Sequence, residues 1–170
     1  VFDHLTEGPQ ILVGSSMGGW IATLLALRRP ERVAGMILLA PAPDFTQALM
    51  WPAFTPAQRT ALERDGVIHL PSQYGDPTPI TRALIEDGRS HLLLEKPIAL
   101  NCPVRILQGM ADPDVPWRHA LRLVDALDAA DVRLHLIKDG DHRLSRPGDL
   151  TLLAETLESL TAALPPPGSP

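Results

Sequence analysis

The stretch ILVGSSMGGWIATLLALRRP, residues 11 to 30, constrains the fold of this chain more than any other. Ile11, Leu12 and Val13 follow Gly8-Pro9 and run into Gly14, so Gln10 to Gly14 reads as a short strand buried on both faces. From Met17 to Arg29 good helix formers dominate, two arginines suit the negative end of the helix dipole, and Pro30 stops the helix. Strand, small-residue turn and helix are therefore expected in immediate succession. Such a turn has two uses. It can be a tight connection with no chemistry, or it can lift a nucleophile onto strained backbone at the helix N-terminus. Gly14-Ser15-Ser16-Met17-Gly18 is G-x-S-x-G, with Ser16 and not Ser15 at its centre. In the second use the Met17 backbone N–H is one oxyanion donor.

The same alternation continues along the chain. Val33 to Ala40 (VAGMILLA) and Val104 to Leu107 (VRIL, ending at Gly109) are continuous apolar strand candidates. Val132 to Lys138 partly alternates, with Val132, Leu134 and Leu136 against Arg133 and His135, which suits an outer strand. Helical stripes run through Leu121, Val124 and Leu127 within Trp117 to Ala129, and through Leu150, Leu153, Leu157, Leu160 and Leu164. Strands alternating with helices predict an α/β fold, a parallel sheet with helices on both faces. Residues 1–40 and 104–164 make this core. The proline-rich stretch 41–103 interrupts it and reads as a small helical lid. Within it Thr55-Pro56-Ala57-Gln58 is a capping box opening a helix from Pro56 to about Arg64. A second helix is expected from Thr81 to Asp87, ended by Gly88, and a further turn from Ser90 to Glu95. The tail 165–170, PPPGSP, reads as disordered.

A serine is a weak nucleophile without a base and an acid to orient that base. The loop QGMADPDVP follows one later strand and offers Asp112 and Asp114; KDGDHRLS follows the next and offers His142. Asp114 lies nearer the helix that begins close to Pro116 and is the better N-cap, which leaves Asp112 as the acid and Asp114 as its alternative. The other histidines fit less well. His4 precedes the serine, His69 and His91 fall in the lid, His119 is on a helix and His135 is in mid-strand. Asp139 and Asp141 read as solvated turn residues. Scattered histidines lack metal-ligand spacing, and no phosphate-binding glycine loop is present. A net charge of -5 over 170 residues disfavours nucleic acid as a partner, and no apolar run is long enough for an integral membrane segment. The single cysteine, Cys102, reads as a packed thiol. Trp20, Trp51, Trp117 and Tyr74 are too dispersed to stack bases and read as core or pocket lining.

With these motifs in this order the sequence resembles the α/β-hydrolase fold enzymes. The stretches GSSMGGW, DGVIHLPSQYG, LIEDGRSHLLL, NCPVRILQGMADPDVPW and DGDHRLS resemble more narrowly the mitochondrial abhydrolase-domain palmitoyl-protein thioesterases, also known as mycophenolic acid acyl-glucuronide esterases, and their bacterial relatives. The resemblance implies a serine hydrolase with Ser16, Asp112 and His142 as catalytic residues and no cofactor. Its substrate would be a small-molecule ester or an acylated cysteine, and its setting a bacterial cytoplasm or mitochondrial matrix. In the lid, Trp51, Phe54, Leu70, Ile80, Leu92 and Leu93 would line an apolar pocket or pack the lid onto the body. Fold and triad alone leave open another α/β-hydrolase reaction such as carbon–carbon bond hydrolysis, an inactive fragment, or a non-catalytic module binding a small ligand. Where relatives often carry His-Gly, this chain has Gln108-Gly109, at a position outside the triad. In the family the serine follows the fifth strand, and a second oxyanion donor comes from the loop after the third, so the resemblance implies that the first strands are missing here. Losing one such donor costs about 2.7 to 4 kcal/mol of transition-state stabilisation. The strand Gln10 to Gly14 would then be an open, aggregation-prone edge. The chain alone is accordingly expected to be poorly soluble or weakly active, and an upstream-extended version neither.

Overall fold

The structure, a computed structural model, describes residues 2–71 and 75–164. Tyr74 and the tail 165–170 lie outside the described residues. In chain order the elements are α1 (Phe2–Leu5), β1 (Gln10–Ser15), α2 (Met17–Arg28), β2 (Val33–Leu39), α3 (Trp51–Ala53), α4 (Pro56–Asp65), β3 (Val67–Leu70) and β4 (Thr78–Thr81). There follow α5 (Arg82–Arg89), β5 (Ile98–Ala99), β6 (Val104–Gly109), α6 (Trp117–Ala126), β7 (Leu127–Asp128), β8 (Val132–Ile137) and α7 (Pro147–Ala163). The chain divides into two compact units, Val1–Pro43 with Leu93–Pro170, and Asp44–Leu92.

The first unit is built on a four-stranded parallel sheet in the order β1-β2-β6-β8. Its two inner strands carry the continuous apolar runs, since a strand with neighbours on both sides and helices on both faces has no wet side. Met36, Ile37 and Leu38 of β2 are wholly buried. Each contributes about 1.5–3 kcal/mol by leaving water. β6 is buried at every residue, including Arg105, which donates to the Asp131 carboxylate at 2.7 Å, and Gln108. One core cluster joins Ile37, Leu39 and Leu107 to Leu144 and to Leu160 of α7. At Gly35 a side chain would press on Leu160, so α7 sits close against β2. β8 forms one edge and β1 the other; among the described residues β1 pairs only with β2, and Val13 is 52% exposed. Cys102 is buried, which pushes its thiol up from the ordinary range.

The helix expected to reach Ala129 stops at Ala126, because Leu127–Asp128 turn extended and pair in parallel with Ile98–Ala99. The second unit is smaller than the 41–103 insertion the sequence suggests, and it is not purely helical. Thr55 accepts from the Gln58 amide while the Gln58 side chain accepts from the Thr55 amide, so the capping box forms at the start of α4. Gly66 at φ 76° ends α4 in the left-handed region and turns the chain into β3, which pairs antiparallel with β4. This hairpin escaped the sequence reading because Pro79, which cannot donate, sits in β4; a two-stranded sheet has only edges and tolerates it. Gly88 lies inside α5 and does not end it: a Cβ there would collide with Thr46 Oγ1.

Most of the side chains expected to line a pocket or pack the lid are found in or against this unit's own core. Phe54 and Ile80 are buried in the unit's own core with Leu62, Ile68 and Ile85, and Trp51 and Leu70 pack against that cluster. Trp51 meets Phe54 edge-to-face at 6.0 Å and carries the guanidinium groups of Arg59 and Arg89 over its ring. Forty-nine residues must bury some apolar surface internally, and these side chains supply it. Leu92 is half-buried at the end of this unit, and Leu93 is buried in the other.

Candidate active site

Ser16 stands between β1 and α2 at φ 53°, ψ −121°, a region that side-chain-bearing residues avoid at a cost of about 1–3 kcal/mol. Its surroundings hold it there. The Ser16 amide donates to Leu39 O at 2.9 Å, and Ser16 O accepts from the Gly19 and Ala42 amides at 2.9 and 3.1 Å. Two glycines of this turn have no room for a side chain: a Cβ on Gly14 would run into Gly18 O and lie 2.8 Å from Gly19 N, and one on Gly19 would lie 3.0 Å from Pro41 Cβ, whereas Gly18 is open. Met17 is the first residue of α2, so its N–H belongs to the turn whose amides have no acceptor within the helix.

The loop after β6 carries Asp112, whose side chain is wholly buried. Oδ1 accepts from the amides of Asp114 and Val115 at 2.8 and 2.9 Å. Oδ2 faces His142 Nδ1 at 2.8 Å and accepts from Gln108 Nε2 at 3.2 Å. Burial pushes this carboxyl up, but hydrogen bonds from His142 and from the Val115 and Asp114 amides outweigh it, so the group ionises below the ordinary aspartate range. Asp114 does not cap α6; the residue at the cap is Pro116 and no side chain bonds there.

His142 lies on the loop after β8. Its Nε2 is 3.1 Å from Ser16 Oγ. A carboxylate at Nδ1 keeps the proton on that nitrogen, so Nε2 is the acceptor and the serine hydroxyl the donor. The hydrogen bond to Asp112 raises the imidazole above its ordinary value; burial opposes this, and the charges of Asp112, Asp114 and Asp141 support it. The loop is built rather than merely solvated. Asp141 Oδ1 accepts from the Arg143 and Leu144 amides at 3.1 and 2.9 Å, and Arg146 bridges Asp139 at 2.7 Å and Asp149 at 2.8 Å. Both aspartates expected to be solvated therefore have structural work. The two loops meet where Gly109 faces Gly140, with Ala111 N donating to Gly140 O at 2.9 Å.

The structure thus links Ser16, His142 and Asp112, drawn from three strand ends, through consecutive hydrogen bonds. Among the described residues no other histidine is bonded to Ser16; His119, for one, is buried with Nε2 2.7 Å from Pro43 O. Sequence reasoning missed the inward role of Gln108, although a polar residue at the end of the apolar strand VRILQG was a signal for it. Asp112, Asp114 and His142 bring potential metal-ligand atoms within 4.8 Å of one another, yet the Asp112 and His142 atoms are already engaged with each other, Ser16, Gln108 and backbone amides. Among the described residues no helix is long and apolar enough to cross a membrane.

Comparison with known proteins agrees with this architecture. The family model described as "Serine aminopeptidase, S33" matches residues 2–84. The mitochondrial palmitoyl-protein thioesterase ABHD10 of Mus musculus is 40% identical over 164 residues, covering 94% of this chain and 54% of that protein. A crystal structure from Agrobacterium vitis S4 is 47% identical, with a TM-score of 0.89, over 93% of this chain and 63% of the other. Mouse alpha/beta hydrolase domain-containing protein 10 superposes with a TM-score of 0.84 at 38% identity, over 94% of this chain and 64% of that one. This chain spans about half the length of the curated relatives it matches.

Proposed function

We propose that this chain, which has the α/β-hydrolase fold and is similar to the ABHD10 proteins, cleaves acyl thioesters or carboxyl esters through an acyl-enzyme on Ser16. The observation that carries the reading is the unbroken path from Asp112 through His142 to Ser16, ending on a serine held at positive φ. Ser16 Oγ attacks the acyl carbon as its proton passes to His142 Nε2. The Met17 N–H, at the positive end of α2, faces the negative oxygen that forms. As the tetrahedral adduct collapses, the carbon–sulfur or carbon–oxygen bond breaks and Nε2 returns the proton to the leaving thiol or alcohol. Water then repeats the cycle, giving its proton to His142, and Ser16 and a carboxylic acid are released. Asp112 stays ionised throughout and keeps the imidazole turned toward the serine. The inserted unit, Asp44–Leu92, is assigned the part of a lid.

Labelling with a fluorophosphonate, followed by a ranking of p-nitrophenyl esters against acyl thioesters, tests the reading. Wild type should label stoichiometrically and Ser16→Ala not at all. Labelling that survives Ser16→Ala would remove the serine from the mechanism. Acyl thioesters should rank above simple esters if the likeness to the palmitoyl-protein thioesterase extends to the leaving group.

A further inference from the structure

We infer that Gln108 is a positioning residue for the proposed triad: its side-chain amide fixes the Asp112 carboxylate with Oδ2 toward His142 and moderates how strongly that oxygen holds the imidazole proton. The inference rests on the serine-hydrolase reading for its purpose, not for its geometry. Gln108 is completely buried near the end of β6, in a strand with no exposed residue. An apolar side chain would satisfy that surrounding at less cost. Instead Nε2 is met by three acceptors, Gly109 O and Val115 O at 3.1 Å each and Asp112 Oδ2 at 3.2 Å. Those three settle which end of the amide is nitrogen, since a flipped amide would set Oε1 against two carbonyls and a carboxylate. The opposite end, Oε1, is buried with no hydrogen-bond partner among the described residues. The side chain thus leaves its acceptor orphaned while its donor end is fully engaged, which points to the donor as the useful end.

The amide has two N–H donors for these three acceptors, so one N–H is shared between two of them. One of the three is the oxygen that also holds His142 Nδ1. With that bond, all four acceptor directions of the Asp112 carboxylate are occupied: Oδ1 by the Asp114 and Val115 amides, Oδ2 by His142 and Gln108. The carboxylate cannot turn without breaking at least one of these bonds. A neutral donor on Oδ2 also competes with the imidazolium for the same electron density. Take it away, and the carboxylate binds the His142 proton more tightly. The charged groups acting on His142 are Asp112, Asp114 and Asp141, and none is altered by replacing Gln108.

The test is an NMR titration of the His142 ring protons, assigned by their absence in His142→Gln, in wild type, Gln108→Met and Gln108→Glu. Methionine is similar in size and has no donor; glutamate, once ionised, adds a second negative charge beside Asp112. The His142 titration should move up by about half a pH unit or more in Gln108→Met and further in Gln108→Glu. On Ser16-dependent substrate, kcat per fluorophosphonate-titrated site should fall about ten-fold in Gln108→Met with KM little changed. A residue that only fills space would lower the melting temperature while leaving the His142 titration where it is, and that result overturns the inference. If Gln108→Met does not fold, the wild-type Gln108 side-chain amide protons decide: they should shift with the His142 titration, and amide protons that do not move overturn the inference. Because the titration needs no turnover, failure of the hydrolase reading, seen as labelling in Ser16→Ala, is distinguishable from failure of this one.

Discussion

Replacing Gly109 with alanine should separate the two loops that bring Asp112 and His142 together. A Cβ at this position would overlap Gly140 O and lie 2.5 Å from Gly140 C and 2.6 Å from Asp141 O, where ordinary contact begins at 3.4 Å. All three atoms are backbone, so no side chain can swing aside; one loop must move by roughly 1 Å to restore normal contact. The movement bears on a short connection. Met110 N donates to Ile137 O at 2.8 Å and Ala111 N to Gly140 O at 2.9 Å, and His142 stands two residues beyond Gly140. The bond from His142 Nδ1 to Asp112 is 2.8 Å long, and a further 1 Å or so takes it past the hydrogen-bonding limit. A misplacement of about 1 Å typically costs about 100-fold in rate, or about 2.7 kcal/mol in the barrier. Overpacking should in addition destabilise the fold by about 1–3 kcal/mol. The assay compares kcat/KM at saturating fold, well below the melting temperature, with chemical denaturation of the same samples. Gly148→Ala is the control: a Cβ there, in the first turn of α7, meets nothing within 4 Å, so stability should hold or rise by about 0.4–1 kcal/mol. Gly109→Ala with wild-type kcat/KM and unchanged stability would refute the claim that close approach of these two loops sets the acid–imidazole bond.

Two further expectations concern pH and packing. The proposed base works only when neutral, and Asp112 holds the His142 imidazole above its ordinary value near 6.5, so kcat/KM should rise with pH along a limb centred above that value. Stability runs the other way for this group: a raised folded-state value stabilises fully below the unfolded value and is lost as pH climbs through the folded one. Asp112, lowered on folding, stabilises above the unfolded value near 3.8 and ceases to as pH falls through its folded value. Denaturation midpoints across pH 6 to 9, set beside the rate profile, should therefore show opposite His142-linked slopes; a limb below 6.5 would contradict the charge-assisted bond. Leu160→Ala should cost about 2–5 kcal/mol, because Leu160 is wholly buried against Gly35 and the cluster around Ile37. A loss below 1 kcal/mol in urea denaturation would show that α7 does not anchor the sheet.

What was legible in the sequence, and what was not, follows from how local each constraint is. The strands β2 and β6 announce themselves because burial on both faces demands continuous apolar runs, and VAGMILL and VRIL supply them. The α4 cap is legible because Thr55 and Gln58 satisfy one another within three residues. Pairing across a distance leaves no such trace. The β3–β4 hairpin depends on partners some ten residues apart, one of which contains Pro79, and the contact of Gly88 with Thr46 depends on a helix meeting a turn forty-two residues earlier. The same distinction governs the site. A parallel sheet turns every strand the same way, so residues that follow β1, β6 and β8 emerge at one end of it, and a serine, an aspartate and a histidine in those loops are brought to one side by topology alone. Topology delivers the three residues to the same neighbourhood; it does not bring His142 Nε2 to 3.1 Å from Ser16 Oγ. That distance is set by groups the motif does not contain: the Gly109–Gly140 approach, the Asp141 turn, the Arg146 bridge from Asp139 to Asp149, and the Gln108 amide beneath Asp112. Substitutions at these supporting positions should therefore lower activity through the alignment of the three residues while leaving G-x-S-x-G, the aspartate and the histidine intact in sequence.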